Sequence, residues 1–492
     1  MSPDRPAAVV VLAAGEGTRM RSSIPKILHA VGGRSLVHHA VAAAVDLEPA
    51  HLVVVVGHGR DHVVAHLADV APKATTVVQE QQLGTGHAVQ CALADLPDIE
   101  GTVVVTYGDV PLLTAAILRT LVDAHTEQRN AVTVLTAHLG DPSGYGRVLR
   151  SENGSVASVV EQKDATEEQC EIREVNSGVY AFDAAVLRDA LARLDTDNAQ
   201  GELYLTDVVG HATAAGHRVG AYAVQDTWAV EGVNDRVQLA ALHRELNRRT
   251  VAAWMRAGVS VVDPATTWVD ADVTLEPDVL LEPNTLLRGS THVAAGASVG
   301  PNCLLVDTQV GAGAEVVSTT SYGAVIGPGA TVGPYTYLRP GTRLGRGAKA
   351  GGFVELKAAE LGDDAKVPHL SYVGDASIGE GANIGAGTIV ANYDGVAKHR
   401  TVVGAHSFVG SDSVLVAPVE IGDGAYVAAG STVTSNVSPG ALAVARGKQR
   451  NIAGWVARRR AGTRTAAAAE RAAAMMHDKT QQDTQQDERS GG

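Results

Sequence analysis

Two different periods of apolar residues divide the chain. Up to about residue 235, near-continuous β-branched and aliphatic runs recur: "AAVVVLAA" from Ala7, "HLVVVVGH" from His51, "GTVVVTYGD" from Gly101 and "NAVTVLTAHL" from Asn130. Runs without polar alternation predict strands buried on both faces of a parallel sheet. Between them "SLVHHAVAAAV" and "TAAILRTLVDAH" predict helices. The expected fold of this part is α/β doubly wound and Rossmann-like, and such sheets bind ligands beyond the carboxyl ends of their strands. Next, "NDRVQLAALHRELNRRTVAAWM" sets Leu239, Leu242, Leu246 and Trp254 at helical spacing among polar residues. It predicts one amphipathic connecting helix, capped by Asn234 or Asp235.

After about residue 259 the period becomes six. Aliphatic or small residues recur at Ile326, Val332, Leu338, Leu344, Ala350 and Leu356, and again at Val403, Val409, Leu415, Ile421, Val427 and Val433, mostly followed by Gly. A helix tolerates that much Gly poorly, and an amphipathic strand alternates every two residues. Six residues with Gly at turns fit a parallel β-helix in which each hexad forms one flat side of a triangular coil. The period slips at Leu356 to Leu361 and at Val373 to Ile378, and "ANYDGVAKHR" interrupts it. Those breaks are the places to look for chemistry. The boundaries predicted are 1–236 for the α/β domain, 237–258 for the linker helix, 259–455 for the β-helix and 456–492 for an Ala-rich, then polar, disordered tail.

Composition narrows the partners. At 492 residues the chain exceeds a single core, and with aromatics at 4% its cores must be built from Val, Ala, Leu and Ile. The net charge of −14 argues against a general nucleic-acid or anionic-membrane binder, so local cations must hold any anionic ligand. Cys91, Cys170 and Cys303 are too scattered for a disulfide framework or a metal cluster, which predicts reduced thiols in a cytoplasmic protein. Ala7 to Gly15 is better a buried strand than a signal peptide, since cleavage would destroy the Gly-rich turn that follows. No apolar run is long enough to insert in a membrane.

That turn, "LAAGEGTRMRSSIPK", has neither of the two common Gly-rich spacings. Gly15 and Gly17 would let backbone approach a phosphate, while Arg19 and Lys26 add positive charge; a plain strand-ending turn is the alternative for the loop alone. Asp109, just after an apolar strand, can reach a hard cation or cap the following helix. Arg339 and Lys357 are one coil apart, so they should stack on one side of the β-helix as a two-cation cradle for an anionic ligand. His369 lies where the hexad period breaks, and a His is the side chain best suited to act as a base near neutral pH.

Many long motifs occur in order: "LAAGEGTRM…PK", "QLGTGHA", "YGDVPL", "GYGRV", "VEQKDA", "EVNSGVY", "ELYLTD", "VEGVND", "YLRPGT", "FVELK", "HLSYVGDA", "NIGAGT", "NYDG", "VGSDSVLVAPV" and "AAGSTVT". Over residues 7 to 455 they resemble the bacterial bifunctional glucosamine-1-phosphate N-acetyltransferase and N-acetylglucosamine-1-phosphate uridylyltransferase family. The resemblance implies a nucleotidyltransferase domain followed by a left-handed β-helix of hexapeptide repeats, an exception to right-handed crossover. It also implies a homotrimer with acetyltransferase sites between subunits, UTP and acetyl-CoA as co-substrates, and Mg²⁺.

Residue by residue, it implies that Leu12, Ala13, Ala14 and Gly15 hold the uridine nucleotide, that Lys26 contacts its phosphates and that Arg19 stabilises the leaving group. Gln79, Gly84 and Thr85 resemble the uracil-reading positions, Tyr107 and Gly108 match positions that bind the nucleotide or nucleotide sugar, and the next residue, Asp109, would hold the metal with Asn234. Gly146, Glu161 and Asn176 match the positions for N-acetylglucosamine and ribose. In the second half His369 matches the catalytic base. Arg339, Lys357, Tyr372 and Asn383 match the glucosamine 1-phosphate pocket, tuned by Glu355. Ala386, Asn392, Tyr393, Ser411, Ala429 and Arg446 match the acetyl-CoA contacts. Two departures stand out: Glu16 in place of an expected Lys, predicted to face solvent, and Ser435 and Asn436 in place of a basic residue. A pyrophosphorylase with an inert β-helix would leave His369, Arg339 and Lys357 unexplained. A non-catalytic regulatory subunit would be expected to lack Lys26, Asp109 and Asn234.

Overall fold

The protein is described by a computed structural model over residues 5–490, with side-chain surroundings through residue 477. The first domain is built on one mixed sheet whose main strands run, edge to edge, Val219–Val224, Val132–His138, Glu174–Asp183, Thr102–Tyr107, Ala8–Ala13, His51–Val56 and Thr75–Val78. The four apolar runs all lie in it. Ala8–Ala13 is parallel to both neighbours and every residue in it is buried. Helices cover both faces, and two apolar clusters lie on its opposite sides.

The sheet is not wholly parallel, as the apolar runs had predicted. Glu174–Asp183 runs antiparallel to the strands on both sides of it. Its register with Val132–His138 slips between Asn176 and Tyr180, a bulge that re-aims the backbone beside the site. Gly178 occupies that bulge at φ +81°, where a Cβ would lie 2.3 Å from the Tyr107 ring.

The connecting helix spans Arg236–Arg256. Its cap is Asp235, whose Oδ1 accepts from the backbone N–H of Val237 and Gln238 at 2.8 and 2.9 Å. That settles the choice between two possible caps and leaves the Asn234 side chain for another task. The first half of the helix packs Leu239, Leu242 and Leu246 against Met20, Val31 and Leu36 of the α/β domain. The second half sets Val251 and Trp254 on the end of the β-helix core. Asn247 ties the helix to the first β-helix coil: its Nδ2 donates to Thr267 O at 2.8 Å and its Oδ1 accepts from Val269 N at 2.9 Å.

Beyond it, three parallel sheets of 11, 10 and 9 strands form the sides of a triangular coil. Pairing connects equivalent hexads in successive turns, for example Val332 with Ala350 and Ile421 with Val403. The inward residues of both hexad series are buried in one continuous core. At the slips the coil is a residue shorter, so Leu356 pairs with Val373 and Leu361 with Ile378. The insertion "NYDGVAKHR" projects as a small hairpin closed by a bridge between Tyr393 and Lys398. The tail, expected to be disordered, carries helices at Trp455–Arg459 and Arg464–Ser490. Its alanines are the strongest helix formers, and only Ala466 is buried there among residues with described surroundings.

Candidate active sites

The loop after the first strand lies at the carboxyl end of the α/β sheet, where two cavities adjoin. One, of about 390 Å³, is lined by Leu12, Ala13, Ala14, Gly15, Lys26, Gln79, Gly84, Thr85, Tyr107, Asp109 and Asn234, with Ile27, Gln82, Ala88 and Glu202. The other, of about 380 Å³, shares Tyr107, Asp109 and Asn234 and adds Arg19, Gly146, Glu161 and Asn176. The residues expected to seat the nucleotide thus gather on one side and those expected to hold sugar on the other, except that Arg19, expected at the leaving group, lines the sugar side. Asp109 and Asn234 stand at the junction.

Two cations meet these two oxygen donors. Lys26 forms an ion pair with Asp109, and Arg19 Nη2 donates to Asn234 Oδ1 at 2.8 Å. Gly15 has nothing within 4 Å of where a Cβ would sit, which suits close approach by a ligand. Gly17 does a different job from the one expected of it. At φ +64°, its Cβ would lie 2.5 Å from Lys26 Cβ, so the glycine makes room for Lys26 rather than for a phosphate. Glu16 is exposed and lines a third cavity with His58, Arg60 and Glu80, which meets the nucleotide cavity at Gln79 and Gln82. Gly108 lines neither of the adjoining cavities; its N–H donates to Leu12 O at 2.9 Å and ties two strand ends together.

Further contacts shape each side. Gly84, at φ +112°, faces Leu203, whose carbonyl oxygen would be 2.5 Å from a Cβ there. Gln82, which sequence reasoning passed over, pins the loop: its Nε2 donates to Ala14 O at 2.7 Å. The only signal for it was its place beside "LGTG". On the sugar side, Gly146 packs against Glu161, with Oε2 3.4 Å from a notional Cβ. Burial pushes the Glu161 carboxyl up, and Asp207, Asp164 and Glu202 add to the rise. Burial also keeps the Tyr107 phenol protonated, helped by Glu161 and Asp109. Asn176 is buried in the bulge and accepts from Gly178 N at 3.0 Å.

On the β-helix, Arg339 and Lys357 stack as the one-coil spacing predicted: the neighbouring Leu338 and Leu356 pair, and Arg339 N donates to Leu356 O. Each cation is engaged within the chain. Arg339 Nη1 is 3.0 Å from Glu355 Oε1, and Lys357 Nζ donates to both Asp375 oxygens at 2.7 and 2.9 Å. Asp375, also unforeseen, accepts from Asn392 Nδ2 at 2.5 Å. Burial opposes the Asp375 carboxylate, but Lys357 and Asn392 hold it below the ordinary range. The corner at Gly374 is just wide enough, because a Cβ there would meet Tyr372 OH at 2.4 Å and Asn392 Nδ2 at 2.8 Å. Arg339 with Glu355, and Lys357 with Asp375 and Asn392, therefore form two polar groups, with Tyr372 in register beside Glu355.

His369 and Asn383 lie on the adjacent sheet of the same chain. His369 ends strand Lys366–His369 with its side chain exposed, and its carbonyl accepts from Ser371 Oγ at 2.7 Å. Ala386, Ser411 and Ala429 form a separate ladder at a coil corner. Asp412 N donates to Ala386 O, Gly430 N to Ser411 O, and Arg446 Nη1 to Ala429 O, each at 2.8 Å. Tyr393 is exposed on the hairpin, its hydroxyl donating to Gly395 O at 2.6 Å. Asn436 Oδ1 accepts from Glu420 N, a purely local contact.

A nucleotide-sized cavity at the end of a doubly wound sheet, followed by a hexad β-helix, defines a nucleotidyltransferase joined to a hexapeptide-repeat acyltransferase. Residues 9–204 match the MobA-like NTP transferase domain and residues 400–435 the six-repeat bacterial transferase hexapeptide. The bifunctional protein GlmU of Streptomyces coelicolor is 58% identical over 472 residues, covering 96% of this chain and 98% of that protein. That of Corynebacterium aurimucosum is 56% identical over 469 residues, covering 94% and 96%. The chain belongs to the GlmU family of bifunctional acetyltransferases and uridylyltransferases, whose two activities synthesise UDP-N-acetylglucosamine.

Proposed function

We propose that the adjoining cavities of the α/β domain bind UTP and N-acetylglucosamine 1-phosphate, and that the β-helix acetylates glucosamine 1-phosphate using Lys357 and His369 from two of its sides. The observation that carries the first half is the junction at Asp109 and Asn234, shared by both cavities and met by Lys26 and Arg19. The sugar phosphate is largely ionised at neutral pH, because its second pKa is near 6. Its oxygen attacks the α-phosphorus of UTP, the bond to the β-phosphate oxygen breaks and pyrophosphate leaves. The obstacle is charge and alignment, so Lys26 holds the phosphates and Arg19 neutralises the departing one. Leu12 to Gly15 and Thr85 seat the nucleotide, Gln79 and Gly84 read uracil, and Gly146, Glu161 and Asn176 hold the sugar and ribose.

Asp109 and Asn234 offer one carboxylate and one amide oxygen, a donor set that fits Mg²⁺ when phosphates and water complete its shell. Bound there, the ion would screen the phosphate charge. Lys26 and Arg19 already sit against these same oxygens, which supports a site built for positive charge.

In the β-helix, Arg339 and Lys357 bind the sugar phosphate, with Tyr372 and Asn383 completing the pocket. His369 removes the proton that the attacking amine must lose before its nitrogen bonds the thioester carbonyl and CoA thiolate departs. Acetyl-CoA lies along Ala386, Ser411 and Ala429, bounded by Asn392, Tyr393 and Arg446. His369 and Lys357 lie on different sides of one coil, which favours a homotrimer whose sites are completed between subunits, in a cytoplasmic enzyme. Acetylation comes first and uridylylation second.

The test supplies glucosamine 1-phosphate, acetyl-CoA, UTP and Mg²⁺, and follows free thiol and pyrophosphate separately. His369→Ala is expected to abolish thiol release yet still uridylylate supplied N-acetylglucosamine 1-phosphate; Asp109→Ala should do the reverse. Loss of both activities in either folded variant overturns the two-site assignment.

A further inference from the structure

Behind the nucleotide cavity, a short relay of polar groups ends on the amide of Gln79. Gln79 is 5% exposed. Its Nε2 lies 3.0 Å from the carbonyl oxygen of Gly84 and 3.1 Å from His87 Nδ1. A backbone carbonyl only accepts, so the amide atom facing Gly84 must be the NH₂ group. One of its hydrogens goes to Gly84 and the other points at His87, so Nδ1 of the imidazole must carry a lone pair. With Nδ1 accepting, the ring N–H is at Nε2, which is 3.6 Å from Cys91 Sγ. Burial pushes the Cys91 thiol up, so it stays a thiol, whose sulfur accepts weakly.

Both Gln79 hydrogens are thereby used behind the cavity, and only Oε1 remains for a ligand. From this geometry we infer that His87 is a positioning residue for base selection: it locks Gln79 to present an acceptor, so the site takes a pyrimidine whose ring N3 bears hydrogen. Uracil has that N3–H. Cytosine offers a lone pair at N3, which opposes Oε1 and leaves it unpaired in a buried site, the arrangement that discriminates most strongly between near-isosteres. His87 acts through Gln79 and is not itself among the residues lining the nucleotide cavity.

The inference rests on Gln79 as the uracil reader, and the experiment separates the two. Uridylyl transfer by the full-length enzyme is measured with UTP and with CTP for Gln79→Ala, His87→Leu and His87→Asn, with acetyl transfer as the check on folding. Asn can place an accepting Oδ1 where Nδ1 lies. Gln79→Ala is expected to lower kcat/KM for UTP at least tenfold. His87→Leu should cut the UTP-to-CTP ratio of kcat/KM at least tenfold, chiefly through a higher KM for UTP, and His87→Asn should retain the wild-type ratio within threefold. If Gln79→Ala leaves UTP use unchanged, the uracil-reading assignment fails. If Gln79→Ala behaves as expected but His87→Leu changes the ratio by less than tenfold, or His87→Asn loses it as fully as His87→Leu, the positioning role of His87 is overturned and the assignment of Gln79 stands.

Discussion

Gly17 and Gly15 are two residues apart and serve opposite needs. Open space in front of Gly15 leaves room for a phosphate, whereas Gly17 is filled from behind by the Lys26 stem. Gly17→Ala would add a Cβ to a left-handed residue, costing about 1 kcal/mol in backbone strain, and would push Lys26 off Asp109. It is expected to lower kcat/KM for uridylyl transfer at least tenfold while acetyl transfer is unchanged, as steady-state assays of the two half-reactions can check. Glu16 is the contrasting case. Because it is exposed beside Arg60 and Glu80, in a cavity that meets the nucleotide cavity at Gln79 and Gln82, Glu16→Lys should change KM for UTP by less than tenfold, about 1.4 kcal/mol. A larger drop would mean that position 16 faces the triphosphate. The sequence displayed both glycines equally, and nothing in "GEGTR" separated them. Only the approach of residue 26 does.

The connecting helix is tied to the α/β domain through a charged knot as well as through its apolar stripe. Glu245, buried on this helix, accepts from Arg248 at 2.8 Å and from Arg249 at 2.7 Å, while Arg249 also binds Asp226 of the α/β domain. Hydrogen bonds from Arg248, then those from Arg249, push the Glu245 carboxyl down from 4.5 to about 2. A depressed folded-state pKa contributes stability that is complete above pH 4.5 and disappears as pH falls toward 2. Denaturant midpoints of wild type and Glu245→Gln should therefore differ most near neutrality and converge across that window; a constant difference down to pH 2 would exclude the ion pairs as its cause. Elements such as this helix were legible because Leu239, Leu242, Leu246 and Trp254 repeat regularly, and the β-helix because its hexads do. The antiparallel strand Glu174–Asp183 was not, since its direction depends on a partner distant in sequence. Asp375 and Gln82 were missed for the same reason: their partners, Lys357 and Ala14, meet them only through coil and loop geometry.

At the scale of the molecule, the β-helix leaves an apolar ladder uncovered beside His369. Tyr335, Phe353 and Leu370 occupy the same corner of successive coils, with Phe353 N donating to Pro334 O and Leu370 N to Gly352 O. All three have left-handed backbone, at φ +58°, +59° and +49°, a conformation that costs a bulky side chain about 1–2 kcal/mol. They are 64%, 62% and 61% exposed, and the Tyr335 and Phe353 rings stack at 5.1 Å. Strain spent on holding large apolar groups in water is offset when another surface covers them. Leu370 directly follows His369, so whatever covers the ladder also walls the proposed base. In the proposed trimer that cover is a second copy of the chain. Phe353→Glu is accordingly expected to shift sedimentation from trimer to monomer and to lower acetyl transfer at least a hundredfold, with uridylyl transfer kept within twofold because its cavities belong wholly to one chain. A trimeric Phe353→Glu enzyme with full acetyl transfer would remove the ladder from the subunit interface.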